Sequence, residues 1–327
     1  MKNIKVAVLC GGVGASRLLV GLTEVVKPEN IYAIVNTGDD INLLGLHISP
    51  DLDIITYSLA GIVEKSRGWG IAGDTFNMLS QLAKYNKKLT WFNLGDRDLA
   101  THIFRTNLMS QGKSLSEVTS LICKKLKVKV NVMPMTNDPF ETHIITDFGE
   151  MHFQEYLVKL KMKPRVKRVK FVHRKLTPSE GVVEAIEKAD LIVIPPSNPL
   201  VSVGPILHIK EIKEAIEKRA SFSIAVSPII GGKVIKGPLA KMLRDLKLEV
   251  SPVTVSKIYS GLIDAIIIDK ADAKLKERIE KNGIKVFTRN IMIQRKSDSI
   301  KLAKFIIDTF DYFKKGLYNS KKQTTAL

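Results

Sequence analysis

The chain has 327 residues, of which 45% are apolar and 26% charged, a balance that supplies a large core and excludes disorder while leaving one or two domains open. No apolar run approaches the roughly 20 residues of a membrane span. Met1-Lys2-Asn3 leads into a strand rather than a signal sequence, and Cys10 and Cys123 show no ligand spacing, so cytoplasmic residence is expected. The net charge of +18 is densest over KLKMKPRVKRVKFVHRK, residues 159 to 175. Basic and apolar residues alternate there with few aromatics, the pattern of a solvated strand face, with steering of an anionic substrate or nucleic-acid binding as the alternatives.

In chain order, IKVAVLC (4 to 10), a helical stretch from 15 to 26 and IYAIVN (31 to 36) make a βαβ unit. The middle differs. VKVNVMP (128 to 134), THIITD (142 to 147), a Phe148-Gly149 turn and EMHFQEYLV (150 to 158) alternate like antiparallel strands, which predicts a mixed α+β insertion over 101–178. Continuous apolar runs return at LIVI (191 to 194), FSIAV (222 to 226), AIIID (265 to 269) and KVFT (285 to 288), separated by helical stretches at 179–188, 209–219, 238–246, 270–281 and 298–315. Strands buried on both faces read this way. The expected fold is a doubly wound, mostly parallel Rossmann-like α/β sheet, with residues 1–100 and 179–327 as its nucleotide-binding core. The tail from Lys314 is expected to fray.

The loops after the strands carry the chemistry. Gly11-Gly12-Val13-Gly14 joins a strand to a helix, where backbone N–H groups meet a phosphate without a Cβ in the way. It is neither a Walker A loop nor a full dinucleotide fingerprint, since Arg17 occupies the third glycine's place; Arg17 instead adds a positive charge. Asn36-Thr37-Gly38-Asp39-Asp40 ends the second strand, where adjacent carboxylates suit a ribose, a divalent cation or a loop cap. Asp51 and Asp53 follow at the start of a helix, where either would also serve as its N-cap. Leu94-Gly95-Asp96-Arg97-Asp98 follows the apolar run LTWFNL and reads as metal and anion ligands or as a surface ion-pair network. Pro195-Pro196-Ser197-Asn198-Pro199 and Ser227-Pro228-Ile229-Ile230-Gly231-Gly232 close two further strands with rigid loops that suit a shared rim. The six histidines show no HExxH or paired zinc spacing, and no nucleophile elbow is present. Phosphate cradles and carboxylates without a nucleophile point to direct transfer onto a substrate hydroxyl.

The set GGVGASRL, NTGDD, SPDLD, GWG, LGDRDLATHI, MHFQEY, PPSNP and SPIIGGKVIKGP, in this order from about residue 5 to 270, resembles the 2-phospho-L-lactate transferase family of coenzyme F-420 biosynthesis. The resemblance implies transfer of a 2-phospholactyl group from lactyl-2-diphospho-5'-guanosine to the ribityl hydroxyl of 7,8-didemethyl-8-hydroxy-5-deazariboflavin, with release of GMP and help from Mg2+. It further implies Asp53, Arg97 and Asp96 as catalytic residues and Asp39, Asp40 and Asp53 as metal ligands. The substrates would be held by Gly11, Gly12, Gly14, Asn36, Thr37, Asp39, Asp40, Asp53, Arg97, Ser197, Asn198, Pro199, Ser227, Gly231 and Gly232. Two departures stand out: Ala15 and Ser16 in the turn, and Pro195 before PSNP. A related family of bacterial regulatory proteins shares the glycine turn and NTGDD, so a non-catalytic nucleotide sensor is the competing reading, with Ile41-Asn42-Leu43-Leu44 after NTGDD favouring the transferase. A homodimer is expected from the apolar helices after about residue 250.

Overall fold

The computed structural model describes residues 1–324, with side chains through 316. Its strands are β1 (Val6–Cys10), β2 (Ile31–Val35), β3 (Ile41–Leu43), β4 (Leu46–Ile48), β5 (Asn131–Pro134), β6 (Phe140–Thr146), β7 (Gly149–His152), β8 (Val166–His173), β9 (Leu191–Ile194), β10 (Phe222–Val226), β11 (Ile229–Ile230), β12 (Lys233–Val234), β13 (Ala265–Asp269) and β14 (Lys285–Arg289). The helices are α1 (Gly12–Leu22), α2 (Pro50–Leu59), α3 (Asn77–Asn86), α4 (Asp96–Ser110), α5 (Leu115–Lys125), α6 (Val182–Glu187), α7 (Gly204–His208), α8 (Lys210–Glu217), α9 (Leu239–Asp245), α10 (Pro252–Ile258), α11 (Lys276–Glu280) and α12 (Lys296–Thr324).

Seven strands form one sheet in the order β14-β13-β10-β9-β1-β2-β5, with parallel pairing at every junction. The strand order reverses between β1 and β9, the switch point at which such sheets open a crevice beyond their carboxyl ends. Because side chains alternate across a strand, Val6, Val8 and Cys10 enter a core under α1, α2 and α12. Ala7 and Leu9 enter a second core on the opposite face, under α6, α8, α9 and α10. Every residue of β1, β9 and β13 is buried, so the continuous apolar runs follow from a doubly covered sheet.

Two segments interrupt the winding. Helices α2 to α5, with the small β3–β4 hairpin, lie between β2 and β5, and the antiparallel sheet β7-β6-β8 lies between β5 and β9. Residues 131–134, expected inside the insertion, are instead the edge strand of the main sheet, in parallel register with β2. Asn131 is exposed and Val132 buried. That alternation belongs to any strand with one wet face, whatever its partner's direction. The β6–β7 turn is Asp147-Phe148, one residue earlier than expected, since Thr146 pairs with Gly149. The run LTWFNL is an irregular connection after a short 3-10 turn, and α3, α4 and α5 were not foreseen. Residues 317–327 of the expected frayed tail lie outside the described side chains. Among the described residues no helix is long and apolar enough to cross a membrane.

Candidate active site

A cavity of about 700 Å³ opens beyond the carboxyl ends of the central strands. At its switch-point wall the loop after β9 lies directly on the glycine turn. A Cβ at Gly14 would collide with the carbonyl oxygen of Pro196, and one at Gly11 would come within 2.5 Å of Ser202 Cβ. Ser197 Oγ donates to Gly11 O at 2.8 Å. These glycines therefore let two loops interlock while the first turn of α1 faces the cavity, and a helix start presents amides without intrahelical partners.

Beside that turn is a group of buried carboxylates organised by Asn36, itself fully buried. Asn36 Nδ2 donates to Asp39 Oδ1 at 3.1 Å and Asp51 Oδ2 at 2.9 Å, and its Oδ1 accepts from Gly38 N at 2.8 Å. Asp51 Oδ1 also accepts from Gly12 N at 2.8 Å. Asp51 thus caps α1 rather than its own helix, where Ser49 holds the N-cap position. Burial, only partly offset by these hydrogen bonds, pushes the Asp51 carboxyl up to about 6. Burial and the neighbouring Asp51 push Asp39 well above the carboxylate range. Asp40 turns away and accepts from His47 Nε2 at 2.9 Å and Ser49 Oγ at 2.7 Å.

A second polar group sits deeper, between α2 and α4. Arg105, 1% exposed, donates through both terminal nitrogens to Asp53, one of them at 3.1 Å to Oδ2. Arg105 Nη1 also lies 3.2 Å from His102 Nδ1. A guanidinium can only donate, so Nδ1 accepts and the neutral ring carries its proton on Nε2, 3.4 Å from Asp98 Oδ1. Tyr57 OH donates to that same oxygen at 2.8 Å. Against the burial of Asp98, the adjacent His102 ring and the Tyr57 hydroxyl hold its carboxyl below the ordinary value. Burial raises Asp53 despite Arg105. One ligand atom each from Asp53, Asp98 and His102 lie within 4.8 Å of one another, close enough to share a metal ion.

Cations and apolar groups complete the lining. Arg17, Arg67 and Lys236 reach the cavity, as do Trp69, Phe92, Phe153, Leu157 and Val158. Carboxylates on the floor and cations near the glycine turn suit a ligand anionic at one end and hydroxylic at the other.

The profile of 2-phospho-L-lactate transferase CofD matches residues 6–304. The chain belongs to the 2-phospho-L-lactate transferase family. It is 41% identical over 288 residues to a phosphoenolpyruvate transferase of Streptomyces griseus, covering 86% of this chain and 91% of that one. Identity to the 2-phospho-L-lactate transferase of Methanothermobacter thermautotrophicus is 35% over 302 residues, covering 92% and 97%, and to that of Methanosarcina acetivorans 34% over 305 residues, covering 93% and 98%. The crystal structure of protein BH3568 from Bacillus halodurans superposes with a TM-score of 0.62 at 20% identity, over 94% of this chain and all of that one, a likeness of fold. Family membership makes the protein a transferase of a phosphate-bearing group.

Of the residues singled out in the sequence, Gly11, Gly12, Gly14, Asp39, Asp53, Ser197, Asn198 and Ser227 line the cavity. Asn36, Thr37, Asp40 and Pro199 stand behind the wall. Gly231 and Gly232, with φ of 55° and 71°, form the two-residue turn of the β11–β12 hairpin that left-handed backbone requires. Asp96 and Arg97, expected as catalytic residues, are not among those that line the cavity. Asp96 accepts from Thr75 Oγ1 at 2.6 Å and from the amides of Asn77 and Met78 at 3.0 Å, capping the start of α3. These bonds, that of Thr75 first, pull its carboxyl down to about 2. Arg97 is exposed and donates to Ala72 O at 3.1 Å. The cause is helical phase. Residues 98, 102 and 105 share one face of α4 and turn inward, while residue 97 is rotated about 100° away. Arg67, Trp69, Tyr57, His102 and Gln154 line the cavity without having been assigned a role, and Asp98, of the Leu94-Gly95-Asp96-Arg97-Asp98 cluster, lines it as well.

Proposed function

We propose that the protein transfers the 2-phospholactyl group of lactyl-2-diphospho-5'-guanosine to the ribityl hydroxyl of 7,8-didemethyl-8-hydroxy-5-deazariboflavin and releases GMP. The observation that carries this reading is the single cavity in which a glycine turn, buried carboxylates and an apolar wall meet. Ligand sites span ~300–1,000 Å³, so 700 Å³ suits two reactants together. The first turn of α1, with Ser197 and Asn198, receives the diphosphate. Trp69, Phe92, Phe153 and Leu157 receive the flat deazaflavin ring. Its hydroxyl oxygen forms a new bond to the lactate-bearing phosphorus, and the bond from that phosphorus to the bridging oxygen breaks. GMP leaves with that oxygen on its phosphate. Asp53 and Asp98 orient the hydroxyl and take its proton, while Arg17 and Lys236 offset the charge on the phosphoryl oxygens.

Two carboxylate groups could hold Mg2+. Asp53 already faces the fixed charge of Arg105, and His102 is a nitrogen donor whose lone pair Arg105 occupies, a poor match to a hard cation that prefers oxygen. Asp39 and Asp51 fit better, because both are buried, both border the cavity and neither has a cationic partner among the described residues. These two would hold the ion, and when bound it would neutralise phosphoryl charge. Asp40, expected among the ligands, is instead turned to His47 and Ser49.

A second reading keeps the chemistry and replaces lactate by enolpyruvate, favoured by the 41% identity to the Streptomyces griseus phosphoenolpyruvate transferase. Incubation with the deazaflavin, Mg2+ and an equimolar mixture of both guanosine donors, followed by mass analysis of the phosphodiester, separates them. A predominant lactyl product supports the first reading, a predominant enolpyruvyl product the second, and no phosphodiester overturns both.

A further inference from the structure

Between α2 and α3 the chain forms a strap over the glycine turn. It closes on itself through Gly68 N to Glu64 O at 2.7 Å, Glu64 N to Gly70 O at 3.0 Å and Ala72 N to Ile62 O at 2.8 Å. Lys236, from the opposite wall, donates to Ser66 O at 3.3 Å and Arg67 O at 3.1 Å, tying the strap across the cavity. At its centre the Arg67 guanidinium lies 4.8 Å from the Trp69 ring centroid and 5.5 Å from that of Phe76. Arg67 Nε is buried without a hydrogen-bond partner. Of the two acidic residues of the strap, Glu64 spends Oε1 on Ser66 N at 3.0 Å and Ser66 Oγ at 2.9 Å, and Asp74 accepts from Arg97 N at 2.8 Å and Asp98 N at 3.0 Å. The other two cavity cations are committed to carbonyls, Lys236 as above and Arg17 Nη1 to Ile293 O at 2.8 Å. Arg67 is therefore a guanidinium held beside two aromatic rings, and among the described residues its side chain donates no hydrogen bond, which leaves its N–H groups for a ligand. A planar fork of donors matches a carboxylate in bidentate fashion.

We propose that Arg67 is the carboxylate clamp of the site, receiving the carboxylate of the three-carbon acid on the donor while the glycine turn receives the diphosphate. This rests on the transfer reading above. It gives the strap a specificity role: donors are sorted by the acid they carry, at a point remote from the guanosine.

The test uses the full chain with Trp91→Phe, which leaves Trp69 as its one tryptophan and reporter. Titration with 2-phospho-L-lactate and, separately, with GDP is followed by Trp69 fluorescence and calorimetry. Arg67→Gln weakens 2-phospho-L-lactate about 10- to 100-fold, the range of a lost charge-assisted pair, and leaves GDP within about twofold. Arg67→Lys, which keeps the charge and stem but not the fork, falls between, and an unchanged melting temperature in Arg67→Lys shows that the strap is intact. Equal losses for both ligands place Arg67 on the diphosphate and overturn the carboxylate assignment. It is equally overturned if Arg67→Gln binds 2-phospho-L-lactate like the parent, or if the parent does not bind it. Arg67-dependent binding in a protein that releases no GMP from the donor would sink the transfer reading and leave the clamp standing.

Discussion

Replacing Asp51 by Asn tests the electrostatic logic of the site. Asp51 is 4% exposed and bonded to Gly12 N and Asn36 Nδ2, yet its carboxyl is pushed from the ordinary 3.8 up to about 6. A folded-state value above the unfolded one means that the folded protein binds the extra proton. The stability from this group is fully present below about pH 4 and is lost as pH rises through 6, by about 3 kcal/mol. Asn carries no charge to bury, but its amide meets that of Asn36 and forfeits one hydrogen bond, about 1 kcal/mol. In EDTA, Asp51→Asn is therefore about 2 kcal/mol more stable than the parent at pH 8 and about 1 kcal/mol less stable at pH 4. Urea denaturation at both pH values reads the difference. Parallel pH curves, or a variant less stable at pH 8, would refute the claim that an uncompensated buried carboxylate is built into this cavity.

The same reasoning predicts that Mg2+ in millimolar excess raises the melting temperature of the parent and leaves Asp51→Asn unmoved; equal shifts would remove the ion from Asp39 and Asp51. Arg105→Gln leaves the buried Asp53 without its cation and costs about 3–5 kcal/mol in urea denaturation, whereas a loss under 1 kcal/mol would mean that the pair is not sealed from water. Gly14→Ala drives a methyl into the Pro196 carbonyl and separates the two switch-point loops, so nucleotide binding falls at least tenfold by calorimetry; unchanged affinity contradicts the interlock. Arg97→Ala keeps kcat and KM within about threefold, since its side chain faces Ala72 outside the cavity; a loss above tenfold would return Arg97 to the chemistry.

The sheet was legible because β1, β9, β10 and β13 are covered on both faces, which forces uninterrupted Val, Ile and Leu. β5 was misplaced because an edge strand alternates like an antiparallel one. The glycine turn and the loops after β2, β9 and β10 were legible from their positions after strands, but side-chain direction was not. Asp96, Arg97 and Asp98 drew attention together as a charge cluster, but only Asp98 turns inward, with His102 and Arg105, an i, i+4, i+7 spacing that marks one face only once a helix is assigned there. Gly231-Gly232 looked like a ligand loop and is turn chemistry. Arg67 and Trp69 sit in an irregular strap without periodicity, so only tertiary structure brings them over the glycine turn.

The most direct test of the account is GMP release from lactyl-2-diphospho-5'-guanosine by the purified chain with Mg2+, measured with and without the deazaflavin alcohol. Transfer in the described cavity predicts GMP in equal amount to a deazaflavin phosphodiester, with release dependent on the alcohol. Donor binding without GMP release, or release at the same rate without the alcohol, would contradict it.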